Sequence, residues 1–287
     1  MDMGAAQLAA TKQRPDLYGY HDYRDFLTDL LAHLKAEIGV SVRQLAHKSG
    51  VSESYISMVL SGTRGLSINQ LKKLATALEL SRADVSYLGW LIALEESPSY
   101  DEKIDAVKKI QRFRTYQKLN PLEVETFRYL EHWYHVAIRE LAALPGFKID
   151  PDWIQASLRF PVSIKEIKQA LVFLFEHDYI RTGSTGESIS VERNVHCKTG
   201  VLKPVLSKFH AEMLGLAAQS ILAVPTDSRN VSSHTCAIPI EAMPDVKRIL
   251  DEARDKIREL SDQHTKTKNV VYHFGFLAFP LTKKMED

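Results

Sequence analysis

The sequence predicts a mainly α protein: an N-terminal five-helix domain, a central helical segment closed by a hairpin, and a small C-terminal α+β unit. Three observations predict it. Apolar residues recur at helical spacing over Tyr20–Leu94 and again over Leu122–Phe175. Helix-opening serines and helix-closing glycines punctuate those stripes. β character is confined to runs flanking a Gly-Ser-Thr-Gly turn at 183–186 and to two stretches near the C-terminus.

Each element follows from its residues. Residues 1–19 are expected to be a disordered tail without the basic and apolar pattern of a secretory signal. Tyr20–Glu37 carries Tyr23, Phe26, Leu27, Leu30, Leu31 and Leu34 on one stripe. Ser41–Lys48 is a short helix with Leu45 and Ala46 inward, stopped at Gly50, where the chain must turn in a conformation cheap only for glycine. Val51 plugs that turn, and Ser52 is placed to cap the next helix. That helix, Glu53–Leu60, buries Ile56 and Val59 or Leu60 and leaves Glu53, Ser54, Tyr55, Ser57 and Met58 on its other faces. Ser67–Leu80 and Ser81–Glu96 complete a domain over residues 20–97. Two short helices about a glycine turn, the second bearing small polar residues near its start, form a helix-turn-helix of the repressor/Cro type; the second helix suits entry into the DNA major groove. Tyr55 and Met58 have a second reading, packing against a neighbouring helix.

The chain has 287 residues, a formal net charge of +1, 45% hydrophobic residues and 25% charged residues, which fits a globular protein of about two domains. This balance argues against a polybasic nucleic-acid coat or a membrane-surface protein. Tyr20–Glu96 holds eight Lys and Arg against nine Asp and Glu, so any DNA contact rests on local distribution: Arg43, Lys48, Arg64, Lys72 and Lys73 flank the second helix of the motif. Two cysteines, Cys197 and Cys236, make no disulfide framework and suit a reducing, cytoplasmic setting. No run approaches the ~20 apolar residues of a membrane span.

Beyond the first domain, residues 98–119 are dense in charge and read as a solvated linker helix. A single long helix is expected from Asn120 or Pro121 to Leu144, stopped by Pro145-Gly146. Asp152–Leu158 and Ser163–His177 follow, the latter with Ser163 and Glu166 spaced as a capping box. With the hairpin about 183–186, residues 120–196 have a winged-helix-like outline. Residues 197–287 hold an apolar helix over Pro204–Leu222, a strand candidate at Val231–Ile240, an amphipathic helix at Glu241–Gln263 and a strand at Asn269–Leu281. Two strands alone are marginal, so further strands are expected from the hairpin region or from a second copy of the chain.

The stretches YHDYRDFLTDLL at 20–31, LSGTRGLS at 60–67, FRYLEHWYHVAIREL at 127–141, IKQALVFLFEHDYI at 167–180 and FPLTKK at 279–284 resemble a bacterial family of repressor/Cro-type (XRE-like) helix-turn-helix regulators with a C-terminal domain of unknown function. The resemblance covers roughly Tyr20 to Lys284 and implies a transcriptional regulator, without implying a ligand. Wider repressor-type domains often open the second helix with a phosphate-touching Gln; this chain has Val42 there, with Arg43 and Gln44 next. Matched by position, Glu53, Ser54, Tyr55 and Ser57 are base-reading candidates, and Arg43, Gln44, Ser61, Thr63 and Arg64 are phosphate candidates. Glu53 has two readings: an acceptor for a cytosine amino group, or a negative charge favoured at a helix N-terminus.

Other chemistry has weak support. His132, His135, His196, Cys197, His234 and Cys236 lack zinc-site spacing and read as ordinary histidines and thiols. Gly183–Gly186 lacks a phosphate loop's GK[ST] ending. The expectation is a non-enzymatic, cofactor-free homodimer on double-stranded DNA, with the C-terminal half supplying dimer contacts and perceiving an effector or protein partner. The alternative is a protein-interaction regulator that keeps the fold without binding DNA.

Overall fold

A computed structural model describes residues 13–183, 188–191, 200–265 and 267–283. They fall into two compact units: the chain up to Arg128 together with the stretch ending at Lys208, and Tyr129 onward together with Phe209 onward. The protein is mainly α with an N-terminal helix-turn-helix domain, and no helix among the described residues is long and apolar enough to cross a membrane.

In the first unit, α1 (Tyr23–Ile38) starts where Asp22 accepts from the Arg24 N–H at 2.7 Å and stops at Gly39, φ +67°. α2 (Val42–Ser49), α3 (Glu53–Leu60), α4 (Ile68–Ala77) and α5 (Arg82–Glu96) follow, capped by Ser41, Ser52, Ser67 and Ser81. Each hydroxyl accepts a first-turn N–H that would otherwise lack a partner. Leu27 and Leu31 of α1, Leu45 of α2, Ile56 and Val59 of α3, and Leu71 and Leu74 of α4 are buried, and each is worth about 1.5–3 kcal/mol relative to exposure.

Three expectations for this unit are corrected. Part of the presumed tail is ordered: Leu17 is buried, and the Arg14 guanidinium donates to the Leu78 carbonyl at 2.9 Å; residues 1–12 lie outside the described residues. The charged stretch 98–119 is no solvated linker. It forms α6 (Tyr100–Ile110) and α7 (Arg114–Leu119), with Ile104, Val107, Ile110 and Tyr116 buried beneath the charges. Tyr87 packs edge-on to Phe113 at 5.3 Å, and the Tyr116 hydroxyl donates to Glu123, which also holds His21 at 2.9 Å. Burial, then that carboxylate, pushes Tyr116 ionisation far above the ordinary tyrosine range. The expected single helix to Leu144 is two, α8 (Pro121–Leu130) and α9 (Trp133–Leu141), broken where His132 turns extended at φ −138°, ψ 129°. The apolar stripe continues across the break, so periodicity does not see it.

In the second unit α9 packs on α11 (Ile164–Glu176), which also packs on α10 (Pro151–Ser157), around Ile138, Ile154, Ile167 and Leu174. β1 (Ile180–Thr182) pairs antiparallel with β2 (Ser188–Ser190), Arg181 opposite Ile189; the turn expected at 183–186 lies largely outside the described residues. The Tyr129 and Tyr179 rings stack at 4.3 Å. Ser163 and Glu166 form the expected capping box. The Ser163 hydroxyl and N–H hold the Glu166 carboxyl below its ordinary value. Its stabilisation is present above the unfolded value of 4.5 and is lost as pH falls through the lower folded value. Ser163→Ala should therefore cost about 1 kcal/mol at neutral pH. Paired urea titrations of wild type and variant should show that gap narrowing in acid; an unchanged gap would refute the coupling.

The C-terminal stretch holds α12 (Lys203–Ala223) and α13 (Met243–Gln263), and residues 229–239 and 268–280 form neither helix nor strand. The strands expected at Val231–Ile240 and Asn269–Leu281 are not formed: both segments lack a ladder within the described chain.

Candidate nucleic-acid interface

The site is the exposed side of α3 and the turn after it. α2 ends on a single left-handed residue, Gly50 at φ +68°, whose N–H donates to the Ala46 carbonyl at 2.9 Å. A side chain there would be strained, because L-residues avoid that region. Val51 is buried and seats the turn, and Ser52 starts α3 by accepting from the Tyr55 N–H at 3.3 Å.

α3 then divides by face. Ile56 and Val59 are buried, while Glu53, Ser54 and Ser57 are all exposed. Spacings of three and four residues put those three side chains on one face. Ser54 lies 3.4 Å from Ser52, hydroxyl to hydroxyl. These are small donors and acceptors on a rigid helix, suited to base edges.

Tyr55 is held elsewhere. Its hydroxyl donates to the Gly65 carbonyl at 2.9 Å and accepts from the Ser67 N–H at 3.2 Å, so its donor is spent inside the fold. It lines a small cavity together with Leu27, Leu31, Leu45, Ile56 and Leu74, and the Arg64 guanidinium lies 5.1 Å over its ring. Tyr55 is thus a strut between α3 and the start of α4, which favours the packing reading over base contact.

The phosphate candidates fall in two places. Arg43 and Gln44 are exposed in the first turn of α2. The Gln44 side-chain Oε1 accepts from the Ser41 N–H at 2.8 Å in a capping box, leaving the side-chain NH2 to face an oxyanion. Ser61, Thr63 and Arg64 sit together on the turn after α3. Ser61 bonds Thr63 at 2.9 Å, hydroxyl to hydroxyl, and donates to the Met58 carbonyl at 3.1 Å; the Arg64 N–H donates to the same carbonyl. The backbone N–H of Thr63, an exposed residue of this turn, donates to no described residue. Sequence reasoning missed it, because a free main-chain donor has no residue-type signal.

This turn is braced from behind. Tyr23 of α1, fully buried, accepts from the Leu66 N–H at 3.2 Å and donates to Glu96 at 2.6 Å, and Arg24 pairs with the same carboxylate. Burial, then the bond to Glu96, raises Tyr23 ionisation far above its usual range, so its proton stays available for that bond.

Among the described residues no group of three or more His, Cys, Asp or Glu is disposed to hold a metal. His132 and His135 lie against each other and the Tyr134 ring, and His135 also against Phe173. His196 and Cys197 lie outside the described residues, and Cys236 is exposed.

In comparisons with known proteins, the helix-turn-helix family model matches residues 31–85, covering α2, α3 and α4. The model described as a domain of unknown function, DUF4423, matches residues 113–281. No curated protein and no solved structure matches the chain. The helix-turn-helix match places the chain, at the level of class, among DNA-binding regulators.

Proposed function

We propose that this chain, which belongs to the DUF4423 family and carries an N-terminal helix-turn-helix, is a sequence-specific transcriptional regulator that binds double-stranded DNA as a homodimer. The observation that carries the reading is the division of α3: Ile56 and Val59 fix one face in the core, while Glu53, Ser54 and Ser57 stand free on the other. α3 enters the major groove, with Arg43, Gln44, Ser61, Thr63 and Arg64 on the flanking phosphates. A single such domain makes too few contacts to outcompete non-specific DNA, and two-fold pairing presents two recognition helices about one helical turn apart. The chain acts in the cytoplasm, without catalysis. The winged-helix-like segment and the C-terminal half serve assembly and the perception of an effector or partner.

The near-neutral charge of the N-terminal domain, with Glu53 on the exposed face of α3, favours a second reading, in which this face binds a protein. A salt titration separates the two. Binding to labelled genomic fragments should weaken steeply with salt, and Arg64→Ala should reduce the slope of log affinity against log salt by about 1, for one phosphate contact removed. No binding at low salt by a folded protein would favour the protein partner.

A further inference from the structure

The C-terminal arm is the largest feature left unused. From His210 to Leu281 no described residue is buried. Ordering a residue costs about 1–2 kcal/mol of backbone entropy, which a segment this long offsets only by burying apolar surface. Its composition is not that of a segment that stays unfolded: Val270, Tyr272, Phe274 and Phe276 alternate in sequence as on one face of a strand and are each 36–55% exposed, while Leu277 and Phe279, in register with the opposite face, are exposed as well. A strand apolar on both faces belongs inside a covered sheet, not at a wet edge.

The backbone is equally incomplete. Among the described residues, 230–238 and 269–281 make no backbone–backbone hydrogen bond. The Tyr272 hydroxyl donates to the Ser228 carbonyl at 3.0 Å, bringing the start of one segment to the other without forming a ladder. Between them α13 carries Val246, Ile249, Leu250, Ala253, Ile257 and Leu260 on one stripe and buries none of them. Its charged face is nearly neutral, with six Asp and Glu against five Lys and Arg, and several pair within the helix: Arg248 with Asp245 and Glu252, and Arg254 with Asp251.

We propose that 210–281 is an intermolecular folding unit, in which segments 230–238 and 269–281 of one chain pair with those of a second copy into one sheet covered by both α13 helices. This deepens the homodimer reading above and rests on it for two-fold pairing, but not on DNA binding. The arm's chemistry selects a second copy. A charged face of near-zero net charge does not select a nucleic acid or a charged peptide, whereas an apolar helix stripe and unpaired backbone complement their own duplicate. Two copies supply four strands and two covering helices, above the three-strand minimum for a stable sheet. The exposed large side chains between Leu214 and Leu281 offer on the order of 1000 Å² per copy, above the roughly 800 Å² per partner of a standard interface.

The test uses the full chain without DNA. Light scattering should give twice the 32.5 kDa chain mass. Hydrogen exchange of the wild type should find amides in 230–238 and 269–281 slowed about a hundredfold or more. Phe274→Asp should halve the mass and abolish that protection while keeping the helical signal of the N-terminal unit. A monomer whose arm amides exchange freely would overturn the proposal. So would protection in a monomer, a dimer with an unprotected arm, or a Phe274→Asp dimer. If the variant does not fold, the wild-type mass and exchange decide the matter alone. Because no DNA enters, a failed arm and a failed DNA reading are told apart.

Discussion

Tyr23→Ala should unfold the helix-turn-helix unit. The ring is fully buried, and truncating an aromatic side chain in a packed core costs about 3–5 kcal/mol. The hydroxyl adds to this. It accepts from the Leu66 N–H and donates to Glu96, so its removal strands a buried backbone donor at a further cost of about 1–3 kcal/mol. The sum is a large fraction of the stability of a typical domain. Tyr23→Phe separates the two contributions: the ring stays, only the second cost applies, and the unit remains folded. It should still weaken DNA binding, because Leu66 anchors the turn bearing Ser61, Thr63 and Arg64, while the salt slope is unchanged because no charge is lost. Urea denaturation gives the stabilities. A loss below about 1 kcal/mol for Tyr23→Ala would refute the bracing role.

Ser54→Ala with Ser57→Ala should remove sequence preference without removing DNA binding. Both hydroxyls are exposed and neither side chain supports the core, so the fold should be untouched. A good base contact is worth about 1–3 kcal/mol of discrimination, so losing two should cost roughly thirtyfold or more in affinity for the preferred site. Affinity for arbitrary DNA, and its salt dependence, should be unchanged because serine carries no charge. Glu53→Gln gives a different signature: if Glu53 accepts from a cytosine amino group, the preferred base changes; if it only complements the helix N-terminus, stability falls slightly and preference stays. An equal loss on all sequences from the double serine change would move the reading contacts elsewhere on the domain.

The N-terminal unit was legible because its boundaries are written in local chemistry. Ser41, Ser52, Ser67 and Ser81 each cap the helix that follows, and Gly50 takes the left-handed turn its position demands. Glu53, Ser54 and Ser57 could be placed outside because Ile56 and Val59 or Leu60 had to be inside, and the structure buries Ile56 and Val59. The misses have physical causes. Over 98–119 a high charge density hid a buried stripe, since a helix needs only one apolar face. The break at His132 has no proline or glycine to announce it. Tyr55 kept two readings in the sequence because the bonds that favour packing, to the Gly65 carbonyl and from the Ser67 N–H, are contacts that spacing does not encode. The C-terminal strands were read from their Val, Tyr and Phe content, but a strand is completed by its partner, and residues 230–238 and 269–281 find none among the described residues.

Selection from the genome asks whether α3 reads DNA sequence. Purified full-length protein is incubated with fragmented genomic DNA over a range of salt, and the retained fragments are sequenced. A protein that reads sequence through α3 should enrich a two-fold-symmetric site with half-sites about 10 base pairs apart centre to centre, or a multiple of that spacing, and the Ser54→Ala, Ser57→Ala variant should lose it. Retention without any shared sequence, or no retention at low salt by a protein shown to be folded, would contradict sequence reading by α3.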